Sequence, residues 1–275
     1  MKLPNGRTLI GEILWFPYSM FAWTLSLVWL CIVGLGCIVA VIFVPFERFQ
    51  TRGPHQLTGM PMWFALGPVK TIEDPKYSRD VPSMFMQNHV SMLDGCTATA
   101  SIRVPLCGLE NAAHLSVPGY GWIMKCANAI AVDRKNPDLR EMIRSSIHDR
   151  IARGISVLTF PEGHRTLDGK LRPFKNGVFR MAIESGIPIS PIAVRGAYRV
   201  LPKGVVTVRP SQVTVYIAPQ IETKGLTMEH LPALKERVRT VIEAFLERGE
   251  MLGDLCKEPL ATPKADDAEE TSKAV

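Results

Sequence analysis

A histidine and an aspartate are separated by four residues in the segment NHVSMLD, residues 88–94. On one continuous helix, His89 and Asp94 would point about 140° away from each other and could not meet. If a helix instead begins at Ser91, the S-x-x-D pattern is typical of a capping box and His89 stays in the preceding loop, where Asp94 can face it. A carboxylate that binds one imidazole nitrogen leaves the other free to accept a hydroxyl proton. The pair therefore predicts a general base, with an ordinary polar turn as the alternative.

A second polar segment, FPEGHRT at residues 160–166, follows an apolar run that is typical of a strand. Ligand sites in parallel sheets lie at strand ends, so we expect these side chains at such a site. Arg165 offers a planar fork suited to phosphate oxygens. Glu162 can accept hydrogen bonds from substrate hydroxyls or orient Arg165, and Gly163 permits a close backbone approach. A surface turn is the alternative interpretation.

Three further fragments lie around these two segments: Asp133-Arg134 after an apolar stretch, Lys175 with Gly177, and Pro188-x-x-Pro191 among apolar residues. Each is common by itself, but their order along the chain is specific. His-x4-Asp, then Asp-Arg, then Phe-Pro-Glu-Gly-x-Arg, then Pro-x-x-Pro resembles the lysophosphatidate (1-acylglycerol-3-phosphate) acyltransferase family of glycerolipid acyltransferases. The resemblance covers roughly residues 84–194.

The resemblance implies an O-acyltransferase in which His89 is the catalytic base and Asp94 is its partner. It implies that the acceptor is bound by Arg134, Glu162, Gly163, Arg165 and Lys175. The donor would be acyl-CoA or acyl carrier protein, the acceptor a lysophospholipid, and neither a cofactor nor a metal would be needed. Three departures concern acceptor recognition: His164 where the family most often has Thr, Asn176 where a second basic residue commonly follows Lys175, and residues 111–114 where a Lys-x-Glu pattern is common.

Two other mechanisms could involve residues in or near these segments. Cys96 is near the pair, but about 200° from Asp94 on a helix that begins at Ser91, which turns the thiol away. The histidines lack a metal-ligand spacing such as H-E-x-x-H, which disfavours a metal hydrolase. An acyltransferase for another lysolipid, such as a lyso-aminolipid, and a noncatalytic lipid-binding membrane protein stay open as alternatives.

Apolar runs that alternate with amphipathic helical patterns predict an α/β fold with a mostly parallel or mixed sheet of five or more strands, flanked by helices. Two helices are expected at 137–153, capped by Asn136, and at 228–248. The expected strands are at 81–86, 154–160, 189–194, 205–208 and 213–218.

The chain carries no charge between Glu12 and Glu47, and this run is too long for a cleaved signal peptide. It predicts an N-terminal helical membrane anchor. A single tilted span, roughly 21–44, and a helical hairpin turning near Gly34 and Gly36 both fit, and the hairpin is slightly favoured because cations flank the run at both ends: Lys2, Arg7, Arg48 and Arg52.

The predicted organisation is a membrane segment over 1–50, an acyltransferase domain over 51–256 and a disordered tail over 257–275. The net charge of +6 suits an anionic membrane or an acidic substrate, and we expect membrane lipids rather than nucleic acid as partners. Six cysteines without a C-x-x-C pair indicate a reducing compartment. We therefore expect the domain at the cytoplasmic face of the inner (plasma) membrane, or at an internal membrane in a eukaryote.

Overall fold

The structure, a computed structural model, describes residues 7–44, 57–133 and 138–260. In these ranges the chain forms one seven-stranded sheet with the order β1-β7-β6-β2-β5-β3-β4. Neighbouring strands are parallel except β6 and β7, which are antiparallel. The strands are β1 (Val69–Glu73), β2 (Met84–Gln87), β3 (Leu106–Asn111), β4 (Ile130–Val132), β5 (Ser156–Thr159), β6 (Ile189–Arg195) and β7 (Val213–Ile217).

Helices connect these strands and cover both faces of the sheet. They are α1 (Leu9–Phe43), α2 (Pro61–Phe64), α3 (Asp94–Ser101), α4 (Tyr120–Cys126), α5 (Leu139–Ala152), α6 (Asn176–Ser185), α7 (Ala197–Val200), α8 (Leu231–Arg248) and α9 (Gly253–Lys257). Two 3₁₀ turns lie at Ala112–Ser116 and Met228–His230. The predicted α/β fold with a largely parallel sheet and flanking helices is confirmed.

The side chains of β2 show how two cores form on the two faces. Met84 and Met86 belong to the core under α5, α6 and α8, whereas Phe85 belongs to the core under α2 and α3. Successive residues of a strand point to opposite faces, so a strand covered on both sides is apolar throughout. All four residues of β2 are buried, which makes it the centre of the molecule and a rigid base for whatever follows it.

Two strand predictions need correction. The strand expected at 81–86 begins only at Met84, after Pro82, which has no N–H to give to the sheet. The segment expected as a strand at 205–208 is not one. Its backbone groups bond to side chains of α1: Val206 O accepts from Trp23 Nε1 at 2.7 Å, and Val208 N donates to Ser19 Oγ at 2.9 Å.

Both predicted helices are present with shifted starts. The first runs over Leu139–Ala152, and its predicted cap Asn136 lies outside the described residues. The second starts as a 3₁₀ turn at Met228–His230 and continues as α8. The predicted tail lies largely outside the described residues, which end at 260.

The slightly favoured hairpin is wrong, because α1 is one continuous helix of 35 residues through both glycines. Gly34 serves close packing and not a turn. A Cβ there would lie 2.9 Å from the carbonyl oxygen of Gly119, just before α4. At 1.5 Å per residue, α1 is roughly 50 Å long, which exceeds the roughly 30 Å of a hydrocarbon core. By length and composition it is able to cross a membrane.

One stripe of α1 faces the domain and the rest of its surface is apolar and exposed. The buried stripe repeats every three or four residues: Ser19, Ala22, Ser26, Val33, Gly34 and Cys37. The exposed residues include Ile10, Ile13, Leu14, Phe21, Ile32, Leu35, Ile42 and Phe43. An exposed apolar surface of this extent marks a lipid or protein contact, and supports membrane association.

Arg7, expected as one of the flanking cations, is instead buried in the domain. Its guanidinium donates to the carbonyl oxygens of Arg199, Val200 and Thr207. The other flanking cations, Lys2, Arg48 and Arg52, lie outside the described residues.

Candidate active site

The two chemistry-bearing segments of the sequence emerge side by side at the carboxyl ends of β2 and β5. These strands are parallel neighbours, with Met86 opposite Thr159. After β2 the chain passes β5 to reach β3, and after β5 it passes back across β2 to reach β6, so the two connections run in opposite directions. Ligands of open α/β sheets bind outside the carboxyl ends of the strands.

Asn88 controls how the chain leaves β2. Its side-chain amide donates to Val194 O at 3.0 Å, and its carbonyl oxygen accepts from Val194 N at 2.7 Å. The side chain thereby satisfies backbone groups of β6 that a longer β2 would otherwise pair. The backbone of β2 is therefore released from the sheet one residue before His89.

The loop then folds back so that His89 and Asp94 meet. His89 Nδ1 lies 2.7 Å from Asp94 Oδ2, and the side chains are 22% and 1% exposed. Because an ionised carboxylate only accepts hydrogen bonds, Nδ1 carries the proton and Nε2 is left as the acceptor. This is the arrangement that a general base requires.

Backbone donors hold the Asp94 carboxylate in place. Oδ2 also accepts from Val90 N at 2.7 Å and from Ser91 N at 2.9 Å, while Oδ1 is buried with no hydrogen-bond partner in the described part of the chain. The helix begins at Asp94, three residues later than expected. Ser91 is consequently not its cap: Ser91 Oγ accepts from Leu93 N and donates to Leu201 O.

The loop after β5 supports His89 from the other side. The imidazole stacks on the Phe160 ring, with centroids 4.0 Å apart and planes 18° apart. Thr166 N donates to His89 O at 2.9 Å, and His89 N donates to Glu162 Oε1 at 2.6 Å. The histidine is thus fixed through its ring, its N–H and its carbonyl group.

Glu162 does not occupy the position predicted from the sequence. Its second oxygen accepts from Arg172 N at 2.9 Å, so the carboxylate bridges two loop backbones and forms no ion pair with Arg165 among the described residues. The residue is 2% exposed. Burial raises the pKa of the carboxyl above its ordinary value, and the two backbone donors oppose that rise only in part.

The cations of this loop are free for a ligand. Neither Arg165, which is half-buried, nor the exposed Lys175 forms a side-chain hydrogen bond or ion pair with another described residue. Gly163 has φ +73° and lies under the Lys175 side chain, where a Cβ would come within 2.9 Å of Cε. The positive φ favours glycine there, whereas the flexible Lys175 side chain could move away from a Cβ. The predicted Arg134 lies outside the described residues.

Two other chemistries find no support at this site. Cys96 is partly buried against the core under α3, and burial, followed by the nearby Asp94 charge, raises the pKa of its thiol to about 12. A thiol in that state is a poor nucleophile. Within the described ranges, no three His, Cys, Asp or Glu side chains are grouped so that they could hold a metal ion.

Sequence reasoning missed the residues that position the pair. Asn88 and Phe160 were recognised only as members of their segments, and Ser91 was predicted to cap a helix. Asn88 instead ends the pairing of β2, Ser91 ties its loop to Leu201, and Phe160 stacks on His89, all through partners more than 70 positions away. A polar residue directly after a buried strand was the available signal for Asn88.

The comparisons with known proteins agree with this geometry. A family model described as Acyltransferase matches residues 70–195, which contain both loops. The chain is 26% identical over 199 residues to the 1-acyl-sn-glycerol-3-phosphate acyltransferase of Limnanthes douglasii, covering 70% of each chain. It is 31% identical over 186 residues to the alpha form of the enzyme of that name in Homo sapiens, covering 65% of each.

A solved structure has the same fold. The 1-acyl-sn-glycerophosphate acyltransferase from Thermotoga maritima matches with a TM-score of 0.70 and 21% identity, over 85% of this chain and 94% of that one. The family model and the named relatives identify this chain as an O-acyltransferase, and the solved structure shares its fold. Among acyltransferases, it resembles the 1-acylglycerol-3-phosphate acyltransferases.

Proposed function

We propose that the chain transfers a fatty acyl group from acyl-CoA or acyl carrier protein to the free hydroxyl of 1-acylglycerol-3-phosphate, giving phosphatidic acid. The observation that carries this proposal is the 2.7 Å contact between His89 Nδ1 and Asp94 Oδ2, which leaves Nε2 to accept a proton. The acceptor class is supported by the names of the relatives and by Arg165 in the adjacent loop, which has no hydrogen-bond or ion-pair partner among the described residues.

In the proposed step, His89 Nε2 removes the proton of the acceptor hydroxyl as its oxygen attacks the thioester carbonyl carbon. The C–O bond forms, the C–S bond breaks, and the imidazolium returns its proton to the leaving thiolate. Asp94 stabilises the imidazolium between the two proton transfers. The acyl group is never attached to the protein, and the reaction uses neither a metal nor a cofactor.

The acceptor phosphate is proposed to bind Arg165 and Lys175, with Arg134 as a further contact. The guanidinium fork matches two phosphate oxygens, and the ammonium of Lys175, whose side chain lies over Gly163, adds a point charge. Glu162 and Gly163 serve this site by shaping the loop that presents both cations. Glu162 would then act on the acceptor indirectly.

The substrate is tested by mass spectrometry of products formed from a mixed lysolipid panel with acyl-CoA and, separately, with acyl carrier protein. The proposal predicts phosphatidic acid as the dominant product and none with His89→Ala. If an acylated aminolipid is the dominant product, the proposed acceptor is wrong and a lyso-aminolipid takes its place. If lysolipids bind but no product forms, the protein is a noncatalytic lipid-binding protein. Unchanged turnover in EDTA is expected.

We further propose that α1 holds the domain at the cytoplasmic face of its membrane, where these donors would reach it. Arg7 ties the beginning of α1 to the domain, and Cys37 still packs beside Ile123 of α4. The helix thus follows the domain surface, so both would lie on one side. A reporter fused ahead of residue 7 should be labelled only from the cytoplasmic side; labelling only from outside would require a crossing helix.

A further inference from the structure

One segment of the domain touches both the membrane helix and the catalytic loops. We define residues 196–209, which follow β6 and include α7, as the connector. The connector contains residues 205–208, which the sequence predicted as a strand. Its backbone and side chains form two groups of hydrogen bonds with other parts of the protein. One group involves the beginning of α1, and the other involves the loops of the active site.

The first group joins the connector to the beginning of α1. The Arg7 guanidinium donates to Arg199 O at 2.6 Å, to Val200 O at 3.1 Å and to Thr207 O at 2.8 Å, with a longer bond to Thr207 Oγ1 at 3.3 Å. Glu12 lies 3.5 Å from this guanidinium and 2.9 Å from that of Arg209. The connector is therefore held by one buried cation at three of its carbonyl groups.

The second group joins the connector to the active site. Leu201 O, one residue beyond the Arg7 contact at Val200, accepts the hydrogen bond of Ser91 Oγ at 2.9 Å. The N–H of Ser91 in turn donates to the catalytic Asp94 oxygen. On the other loop, Tyr198 Oη donates to Leu167 O at 2.6 Å, two residues after Arg165.

The link between α1 and the connector depends on the guanidinium group of Arg7. Burial lowers the pKa of its guanidinium, whereas the nearby Glu12 opposes that change. A planar fork can serve several carbonyl oxygens at fixed angles, but an ammonium cannot reproduce that geometry. Truncation would remove this donor from Arg199 O and Thr207 O, whereas Val200 O would still accept from Arg209 N. We expect the segment to shift so that the two carbonyl groups find other donors.

We propose that Arg7 is a positioning residue for acyl transfer, which acts through the connector and Ser91 on the His89–Asp94 pair. The proposal rests on the catalytic role proposed above for that pair. It makes the start of the membrane helix part of the catalytic apparatus as well as of the anchor. Misplacement of a catalytic group by about 1 Å can cost a hundredfold in rate, so we expect Arg7→Ala to lower kcat by roughly 10- to 100-fold.

The test compares Arg7→Ala and Arg7→Lys with Tyr18→Phe in the full-length, membrane-bound protein. Tyr18→Phe removes another bond between α1 and the domain, from Tyr18 Oη to Phe64 O, outside the connector. For each variant, kcat, the acceptor KM, Tm and the membrane-bound fraction are measured. We expect a lower kcat with nearly unchanged KM for Arg7→Ala, incomplete rescue by Lys, and near-normal kcat for Tyr18→Phe. If Arg7→Ala does not fold, Arg7→Lys decides.

A double-mutant cycle with Ser91→Ala identifies the route. If Arg7 acts through Ser91, the Arg7→Ala/Ser91→Ala protein loses little more kcat than the worse single variant, whereas independent effects multiply. Three results would overturn the inference. They are a wild-type kcat in Arg7→Lys, a loss of kcat in Arg7→Ala equal to that in Tyr18→Phe, and multiplicative losses in the cycle. Activity that survives His89→Ala would instead overturn the proposed function, so the two failures are distinguishable.

Discussion

The loops after β2 and β5 lie side by side at one edge of the sheet, yet they use their polar groups in opposite ways. In the β2 loop, the functional carboxylate is almost completely buried, with its Oδ2 bonded three times. In the β5 loop, the buried Glu162 supports the backbone, while Arg165 and Lys175 pair with no carboxylate in the part of the chain that the structure describes. A general base needs one fixed geometry, whereas cations that bind a ligand must not be neutralised by the protein itself.

The largest expected effect is that of His89→Ala. Loss of the base should lower kcat by about two to four orders of magnitude, because the imidazole that accepts the hydroxyl proton is then missing. Tm should change little, since Asp94 keeps two backbone donors. The matched control is His148→Ala, an exposed histidine of α5. Near-normal turnover of purified, folded His89→Ala would remove the β2 loop from the chemistry.

Asp94→Asn separates geometry from charge in the same loop. The asparagine oxygen can still accept from Val90 N, Ser91 N and His89 Nδ1, but it cannot stabilise an imidazolium as an anion does. We expect kcat to fall on the order of a hundredfold while Tm stays near the wild-type value. Steady-state kinetics with thermal unfolding checks both. An unchanged kcat would mean that Asp94 only shapes the loop.

The β5 loop should respond differently. Arg165→Ala should raise the acceptor KM or lower acceptor kcat/KM by roughly one to two orders of magnitude, because a charge-assisted contact contributes about 1.5–3 kcal/mol. The donor KM should stay nearly unchanged. Arg165→Lys should rescue only in part. Arg180→Ala, an exposed arginine of α6, is the control. Equal losses for donor and acceptor would assign Arg165 a structural role.

The smallest effect concerns the pH dependence of stability through Glu162. Its pKa is raised by burial, so folding favours the protonated form. That contribution is present below the ordinary glutamate pKa and is lost as the pH rises through the raised one. Denaturant unfolding of wild type and Glu162→Gln should therefore show the wild-type advantage in unfolding free energy decreasing with rising pH. An advantage that grows with pH would mean that the backbone donors outweigh burial.

The extent to which the sequence predicted this molecule differs between its parts. The His89–Asp94 contact followed from spacing, because a five-residue separation excludes one helix and leaves a loop that folds back. The strands β2, β5, β6 and β7 were predicted from apolar runs. The strands β1 and β3 were missed because most of their residues are partly exposed, and β4 was missed because it has only three residues.

Errors arose where partners are far apart in sequence. Residues 205–208 have strand-like composition, but their hydrogen bonds go to Ser19 and Trp23 of α1. Glu162 stays a predicted acceptor-binding residue, but no local pattern reveals that it also accepts from His89 N and Arg172 N. Arg7 was assigned to the membrane surface for the same reason. Local spacing predicted the reacting pair, and only the fold reveals what supports it.

The central claim is that one loop performs the chemistry and the other selects the phosphate. The most direct measurement is the rate of acyl transfer by wild type, His89→Ala and Arg165→Ala, each with 1-acylglycerol-3-phosphate and with the same acceptor lacking phosphate. His89→Ala should lose activity on both acceptors by the same factor, whereas Arg165→Ala should lose it on the phosphorylated acceptor alone. Equal losses of Arg165→Ala on the two acceptors, or a His89→Ala protein that still turns over either, would contradict the claim.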